Sequence, residues 1–221
     1  MMERHFDIEL KQLSEKLLTM ASLVEEAIGR AIRALVLRDE KLAKEVAVSD
    51  KTINMAEIEI DEFCLKLLAL HQPEATDLRF ITMTFKINND LERMGDLAVN
   101  IAERTLDLLK EPLLKPLIDI PRMAELAQAM VKDSLDSFVK RDADLARDIC
   151  RRDDQVDQLN DQLFRELLTY MLQDQKSIER ALGLILVGRH LERIADHATN
   201  IAEDAYYLVQ GRTIKHHVAG E

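Results

Sequence analysis

The chain carries one segment twice. Leu91 to Glu103 reads LERMGDLAVNIAE and Leu191 to Glu203 reads LERIADHATNIAE, and nine of these 13 positions are identical at an offset of 100. A repeat of this kind marks a duplicated supersecondary unit, so the fold has to place two copies of one motif. Upstream, Arg38-Asp39, Leu42-Ala43 and Lys44 match Arg141-Asp142, Leu145-Ala146 and Arg147 at an offset of 103, and Ile53 and Val156 keep that register. The three-residue difference is absorbed near His71-Gln72-Pro73, where the first half has the longer turn.

The unit that repeats is helical. Only 6 Gly and 4 Pro occur in 221 residues, too few breakers for a turn-rich β chain. The apolar residues are Leu, Ile, Val, Met and Ala with little aromatic content, which suits long amphipathic helices. Punctuation at Asp39, at His71-Gln72-Pro73, in the Pro-rich Lys110–Pro121 stretch, at Asp142 and at Gln173–Ser177 predicts six helices, about 5–38, 40–70, 76–109, 121–141, 143–172 and 177–210. The expected fold is all-α, two pseudo-symmetric three-helix bundles. The first spans 5–110, a Pro-rich connector spans 111–121, the second bundle spans 122–210 and a polar tail spans 211–221. Motif helices Thr76–Leu109 and Ser177–Gln210 should be equivalent under an internal two-fold operation.

Charge and segment length exclude several classes. The chain has 41 acids against 30 bases, a formal charge of -11, and no basic block, so nucleic-acid binding is not expected. The longest apolar stretch, Ala181 to Gly188, is far short of the roughly 20 residues that cross a bilayer. Met1 to Leu10 carries Glu3, Arg4, His5 and Asp7 and no apolar core, so neither a signal peptide nor membrane insertion is expected, and a cytoplasmic location is. Cys64 and Cys150 have no metal-type spacing and read as small buried hydrophobes in a reducing compartment.

At about 100° per residue, Leu91, Met94, Gly95, Ala98, Ile101, Ala102 and Thr105 form one face of the motif helix, and Leu191, Ile194, Ala195, Ala198, Ile201 and Ala202 repeat it. Glu92, Asp96, Asn100 and Glu103 lie roughly opposite, as do Glu192, Asp196, Asn200 and Glu203. A solvated face would explain acids in one copy. It does not explain why they persist in both, since acids four residues apart repel by about 0.2–0.5 kcal/mol per pair. Ordinary exposed positions have drifted between the halves, as in Glu40 against Ala143 and Lys41 against Asp144. Side chains one turn apart, about 5–6 Å at Cβ, can chelate a hard cation through oxygen. The second helices add Asn54, Glu57 and Asp61 in one half and Asp153, Asp154, Asp157 and Asp161 in the other. The 103 offset pairs Asn54 with Asp157 and Glu57 with Asn160, which makes Asp61 and Asp161 weaker candidates, together with Glu103 and Glu203. Arg93 and Arg193 read as surface ion-pair partners, His197 occurs in one half only, and His216 and His217 lie in the tail.

No phosphate-binding Gly loop, nucleophile elbow, HExxH, CxxC or Glu-x-x-His pair is present. No catalytic residue is therefore assigned. A carboxylate-cluster metalloenzyme and a metal-free helical adaptor remain as alternatives.

The paired runs LERMGDLAVNIAER and LERIADHATNIAED resemble the PhoU family, as do the turn HQPEATDLR and the run RRDDQVDQL. The resemblance covers about residues 5–210. It implies metal ligation by Glu92, Asp96, Glu192 and Asp196, aided by Glu57 and Asp157; the repeated face itself offers the amides of Asn100 and Asn200 as further oxygen donors. The cofactor implied is iron, manganese, zinc or magnesium. The function implied is negative regulation of the phosphate-starvation response and of phosphate uptake. The protein would act as a non-catalytic homodimeric adaptor between the phosphate ABC transporter, through its PstB-type ATPase subunit, and a PhoR-type sensor histidine kinase.

Overall fold

The structure is a computed structural model that describes residues 5–214. Seven α-helices follow one another: α1 His5–Leu37, α2 Glu40–Ala47, α3 Asp50–His71, α4 Ala75–Leu108, α5 Asp119–Lys140, α6 Ala143–Gln173 and α7 Ile178–Gln210. A 3-10 turn, Gln175–Ser177, leads into α7, and no strand occurs among the described residues. The fold is all-α, with α1–α4 as one half and α5–α7 as the other.

The corner Arg-Asp is built identically in both halves. Arg38 and Arg141 are left-handed, each with φ 55°. The next amide reaches back to close the helix, Asp39 N to Ala34 O at 2.9 Å and Asp142 N to Ser137 O at 2.9 Å. The Asp then caps the following helix. Asp39 accepts from the Leu42 amide, and Asp142 accepts from the Asp144 and Leu145 amides.

Two boundaries differ from the sequence expectation. The helix expected over 40–70 is broken at Val48-Ser49 into α2 and α3. Ser49 Oγ donates to the Val46 carbonyl at 2.8 Å, the local competition that makes Ser a helix terminator. The equivalent positions in the second half are Arg151 and Arg152, good helix formers, and α6 runs straight through. Pro121 lies inside the first turn of α5, where its missing N–H costs nothing, so the connector is 109–118 rather than 111–121.

The motif helices form the centre. Lys86 pairs with Asp204 at 3.2 Å, His197 Nδ1 meets Asp90 Oδ1 at 2.8 Å, and Gly183 lies against Leu108. Rising numbers on α4 thus meet falling numbers on α7, so the two run antiparallel with residues 95 and 195 at the same level. Every residue of the predicted apolar faces is buried, from Leu91 to Thr105 and from Leu191 to Ala202. One continuous apolar core runs through all seven helices except for the polar ties that cross it. Gly95 lets Ile53 of α3 reach α4, and Gly188 lets Leu163 of α6 reach α7; an added Cβ would meet these side chains at 3.0 and 2.7 Å. These close approaches bring the acidic edge of α4 up to α3 and that of α7 up to α6.

Candidate functional site

In the first half, Glu92 and Asp96 on α4 face the start of α3. Partial burial pushes the Asp96 carboxyl up, and the charge of Asp50 adds to this against Arg93. Glu92 is pushed up by burial and then by Asp96, with Glu57 and Asp50 contributing and Arg93 opposing. Asp50 Oδ2 accepts from Asn54 Nδ2 at 2.6 Å. Asp50 Oδ1 and Asn54 Oδ1 are buried and have no donor.

The second half repeats this with more charge. Burial raises Asp153 from 3.8 to about 6, reinforced by Asp196, Asp157, Asp154 and Glu192. Asp157 is raised by burial and then by Asp196, Asp154 and Asp161. Glu192 is raised by burial, Asp196 and Asp157 against Arg189 and Arg193. Burial also raises Asp196, offset by His197 and Arg193. Asp153 Oδ1 is buried without a donor, as Asp50 Oδ1 is. Each such orphan acceptor costs about 1–3 kcal/mol.

Glu92 thus feels the charges of Asp96 and Glu57 in the first half, and Glu192 those of Asp196 and Asp157 in the second. Asp50 is the site residue that motif spacing missed. The signal was present, because the 103 offset pairs Asp50 with Asp153 as identical residues.

Other candidates fall elsewhere. Asn200 lines a groove between α4 and α7 with Phe85, Lys86, Asn89, Asp90 and Asp204, because it is turned on the helix away from α6. Asn100 is half-buried one turn beyond Asp96. Asp61 Oδ1 accepts from the buried Asn88 Nδ2 at 2.9 Å, and the same amide donates to the Glu57 carbonyl at 2.9 Å, so Asp61 serves a helix-to-helix tie. Asp161 points to solvent, 3.8 Å from Arg165. Glu103 is exposed. Glu203 lies at the edge of the second cluster, where burial first, then Glu203 and Asp153, push the Cys150 thiol up to about 12. Cys64 is likewise raised to about 12, by burial and then Asp61, and both thiols are free. His197 is committed to Asp90 across the α4–α7 seam, and Arg93 stands 3.7 Å from Glu92. His216 and His217 lie outside the described residues.

Among the described residues, no three His, Cys, Asp or Glu side chains are drawn into a closed ligand set. The donor chemistry nevertheless fits a hard cation: oxygen only, partly dehydrated, anionic and short of hydrogen-bond donors. No helix of the described residues is long and apolar enough to cross a membrane.

Two helical halves related by an internal two-fold, with an acidic oxygen-donor edge between α4 and α3 in one and between α7 and α6 in the other, define a duplicated all-α protein. The family model described as PhoU domain matches residues 17–105 and 120–205. The chain belongs to the PhoU family. It is 50% identical over 208 residues to a phosphate-specific transport system accessory protein PhoU homolog of Aquifex aeolicus, covering 94% of each chain. It is 36% identical to the phosphate-specific transport system accessory protein PhoU of Escherichia coli K12, covering 96% of this chain and 88% of that one. The crystal structure of PhoU from Pseudomonas aeruginosa superposes with a TM-score of 0.90 at 41% identity, covering 94% of this chain and all of the other.

Proposed function

We propose that this protein is a cytoplasmic, non-catalytic regulator of phosphate uptake that represses the phosphate-starvation response when phosphate is plentiful. It works by contact, bridging the phosphate ABC transporter, through a PstB-type ATPase subunit, and a PhoR-type histidine kinase, as a homodimer. The support is the shared family with accessory proteins of phosphate-specific transport.

Cation binding is part of this reading, and the pair of orphaned buried oxygens on Asp50 and Asp153 carries it. Asp50, Asn54, Glu57, Glu92 and Asp96 would hold a cation in the first half, and Asp153, Asp157, Glu192 and Asp196 in the second. The bound ion would neutralise mutual repulsion among carboxylates already pushed up by one another, and would tie α3 to α4 and α6 to α7. Asn54 stands where the second half has Asp157, and Asn160 where the first half has Glu57, so each set keeps four carboxylates and the two sites differ in where the acids lie rather than in their charge. A metal-free adaptor is the second reading, favoured by the open arrangement of the acids.

Elemental analysis of untagged protein tests the cation. Retained iron, manganese, zinc or magnesium should be lost from the Asp50→Asn/Asp96→Asn/Asp153→Asn/Asp196→Asn protein. Unchanged metal content in that variant refutes the assignment. The regulatory reading is tested by deletion: starvation genes should be expressed in phosphate-rich medium, and restoring the protein should silence them. Full repression in the deleted strain rejects it.

A further inference from the structure

Three residues that meet one another in the first half have all changed in the second. Glu57, Asp61 and Asn88 stand where the second half has Asn160, Phe164 and Gly188, at offsets of 103, 103 and 100. In the first half they form a tie between α3 and α4. Asn88 is fully buried, and its amide nitrogen donates to the Glu57 carbonyl and to Asp61 Oδ1, both at 2.9 Å. In the second half no such tie can form. Gly188 has no side chain, Phe164 offers no acceptor and is exposed, and Asn160 Oδ1 lies 3.0 Å from where a Cβ on Gly188 would stand. The duplicated fold therefore packs α6 on α7 without an amide at this position.

Packing alone does not account for Asn88. Its Oδ1 is buried without a donor, a desolvation left uncompensated. An aliphatic side chain would fill the space without that cost. What accompanies the amide is an acid on the facing helix. The Glu57 charge adds to those that push the Glu92 carboxyl up, and Glu92 lies one turn along α4 from Asn88. Two carboxylates so placed repel and favour the parting of α3 from α4. Asn88 opposes this by holding the backbone of Glu57 itself, and Asp61, one turn further along α3, takes the second proton of the amide. Where the α3 acid is replaced by the uncharged Asn160, the amide is absent as well.

We propose that Asn88, oriented by Asp61, is a positioning residue for cation binding in the first half, holding the Glu57 carboxyl beside that of Glu92. It is not itself a ligand and acts through Glu57. The inference rests on the cation reading given above and adds that the two sites are built differently: the first depends on a tie from α4, and the second has none. Groups that orient metal ligands in this way are worth about 10–100-fold in affinity.

The test reads each half separately. The probe is Mn²⁺, titrated by calorimetry into the untagged full-length protein after treatment with chelator. Asp153→Asn/Asp196→Asn leaves the first-half site alone, and Asp50→Asn/Asp96→Asn leaves the second. Asn88→Leu should weaken Mn²⁺ binding about tenfold in the first background and leave it unchanged in the second. With Glu57→Gln already present, Asn88→Leu should add little, because it acts through that carboxyl. Thr84→Val removes another buried polar group of α4, one whose hydroxyl donates within its own helix at 2.9 Å. It should change neither affinity, which separates positioning from a general loss of stability. If circular dichroism shows that Asn88→Leu does not fold, Asn88→Ala takes its place. Four results overturn the proposal while the cation reading stands: no loss in either background, equal loss in both, an undiminished effect after Glu57→Gln, or a loss on Thr84→Val as large as on Asn88→Leu. Mn²⁺ held by neither background overturns the cation reading and the proposal with it.

Discussion

Asp153→Asn offers a direct measure of the strain held in the acidic edge of the metal-free protein. An unconstrained Asp titrates near 3.8, and in the fold Asp153 is raised to about 6, by burial first and then by Asp196, Asp157, Asp154 and Glu192. Between those values the native chain holds a proton that the unfolded chain has lost. Stability therefore falls as pH rises through this window, and above it the whole penalty is present. At about 1.36 kcal/mol per pH unit of difference, the rise is worth about 3 kcal/mol. The side chain is only partly withdrawn from water, and screening reduces the figure to about 1–2 kcal/mol. Asparagine keeps the shape and removes the charge. In chelator at pH 7.5 the variant should be the more stable by that amount, and near pH 4 the two proteins should converge. Urea denaturation at both pH values reads the effect as a shift of midpoint at constant slope. A variant less stable than wild type at pH 7.5, or a difference that does not change with pH, refutes the reasoning. With metal restored the order should reverse, because an ion bound to the native state stabilises wild type and the variant has lost a ligand.

The two Arg corners should respond to glycine in opposite directions. Arg141→Gly relieves a left-handed residue with no side-chain hydrogen bond and should stabilise by about 1 kcal/mol in urea denaturation. Arg38→Gly removes the same strain but also the bonds to the Leu109 and Glu111 carbonyls, and should be neutral or destabilising; equal gains at both corners would disprove the connector's dependence on Arg38. Gly188→Ala should cost about 1–3 kcal/mol, because its Cβ meets Leu163 Cδ2 at 2.7 Å and Asn160 Oδ1 at 3.0 Å; a melting temperature at or above wild type would show that α6 and α7 can part without loss.

The repeat made the centre of the molecule legible. Identical small and apolar residues at Leu91–Ala102 and Leu191–Ala202 had to be two copies of one buried face, and they are. The doubled Arg-Asp fixed both corners for the same reason, since a left-handed residue followed by a capping Asp is purely local chemistry. Two features were less accessible. The break at Val48-Ser49 has no counterpart in the other half, so the repeat argued for continuity where local Ser chemistry argued against it, and the local term won. Periodicity groups Asn200 with Glu192 because both lie off the apolar stripe. Eight residues turn an α-helix by about 80° beyond two full circles, enough to pass from the side facing α6 to the seam with α4. A helical wheel gives the angle between side chains but not which neighbour occupies each angle.

The internal duplication carries part of that missing information. Positions that stay identical across the pseudo-two-fold either pack, like Leu91 and Leu191, or repeat a shared chemistry, like Asp50 and Asp153 with their unmatched oxygens. Positions that change by drift, such as Lys41 against Asp144, lie at the surface and leave their surroundings unaltered. Thr82 to Leu182, Lys86 to Leu186 and Arg104 to Asp204 belong to neither class, because each changes the chemistry of one seam and the three changes lie against one another. An ion pair at one seam and part-exposed leucines at the other would be an unexplained cost if the two halves did the same work, since exposed leucines gain nothing from water. The acidic edges are what the halves have in common, and the leucines at 182 and 186 are where the second half departs from the first.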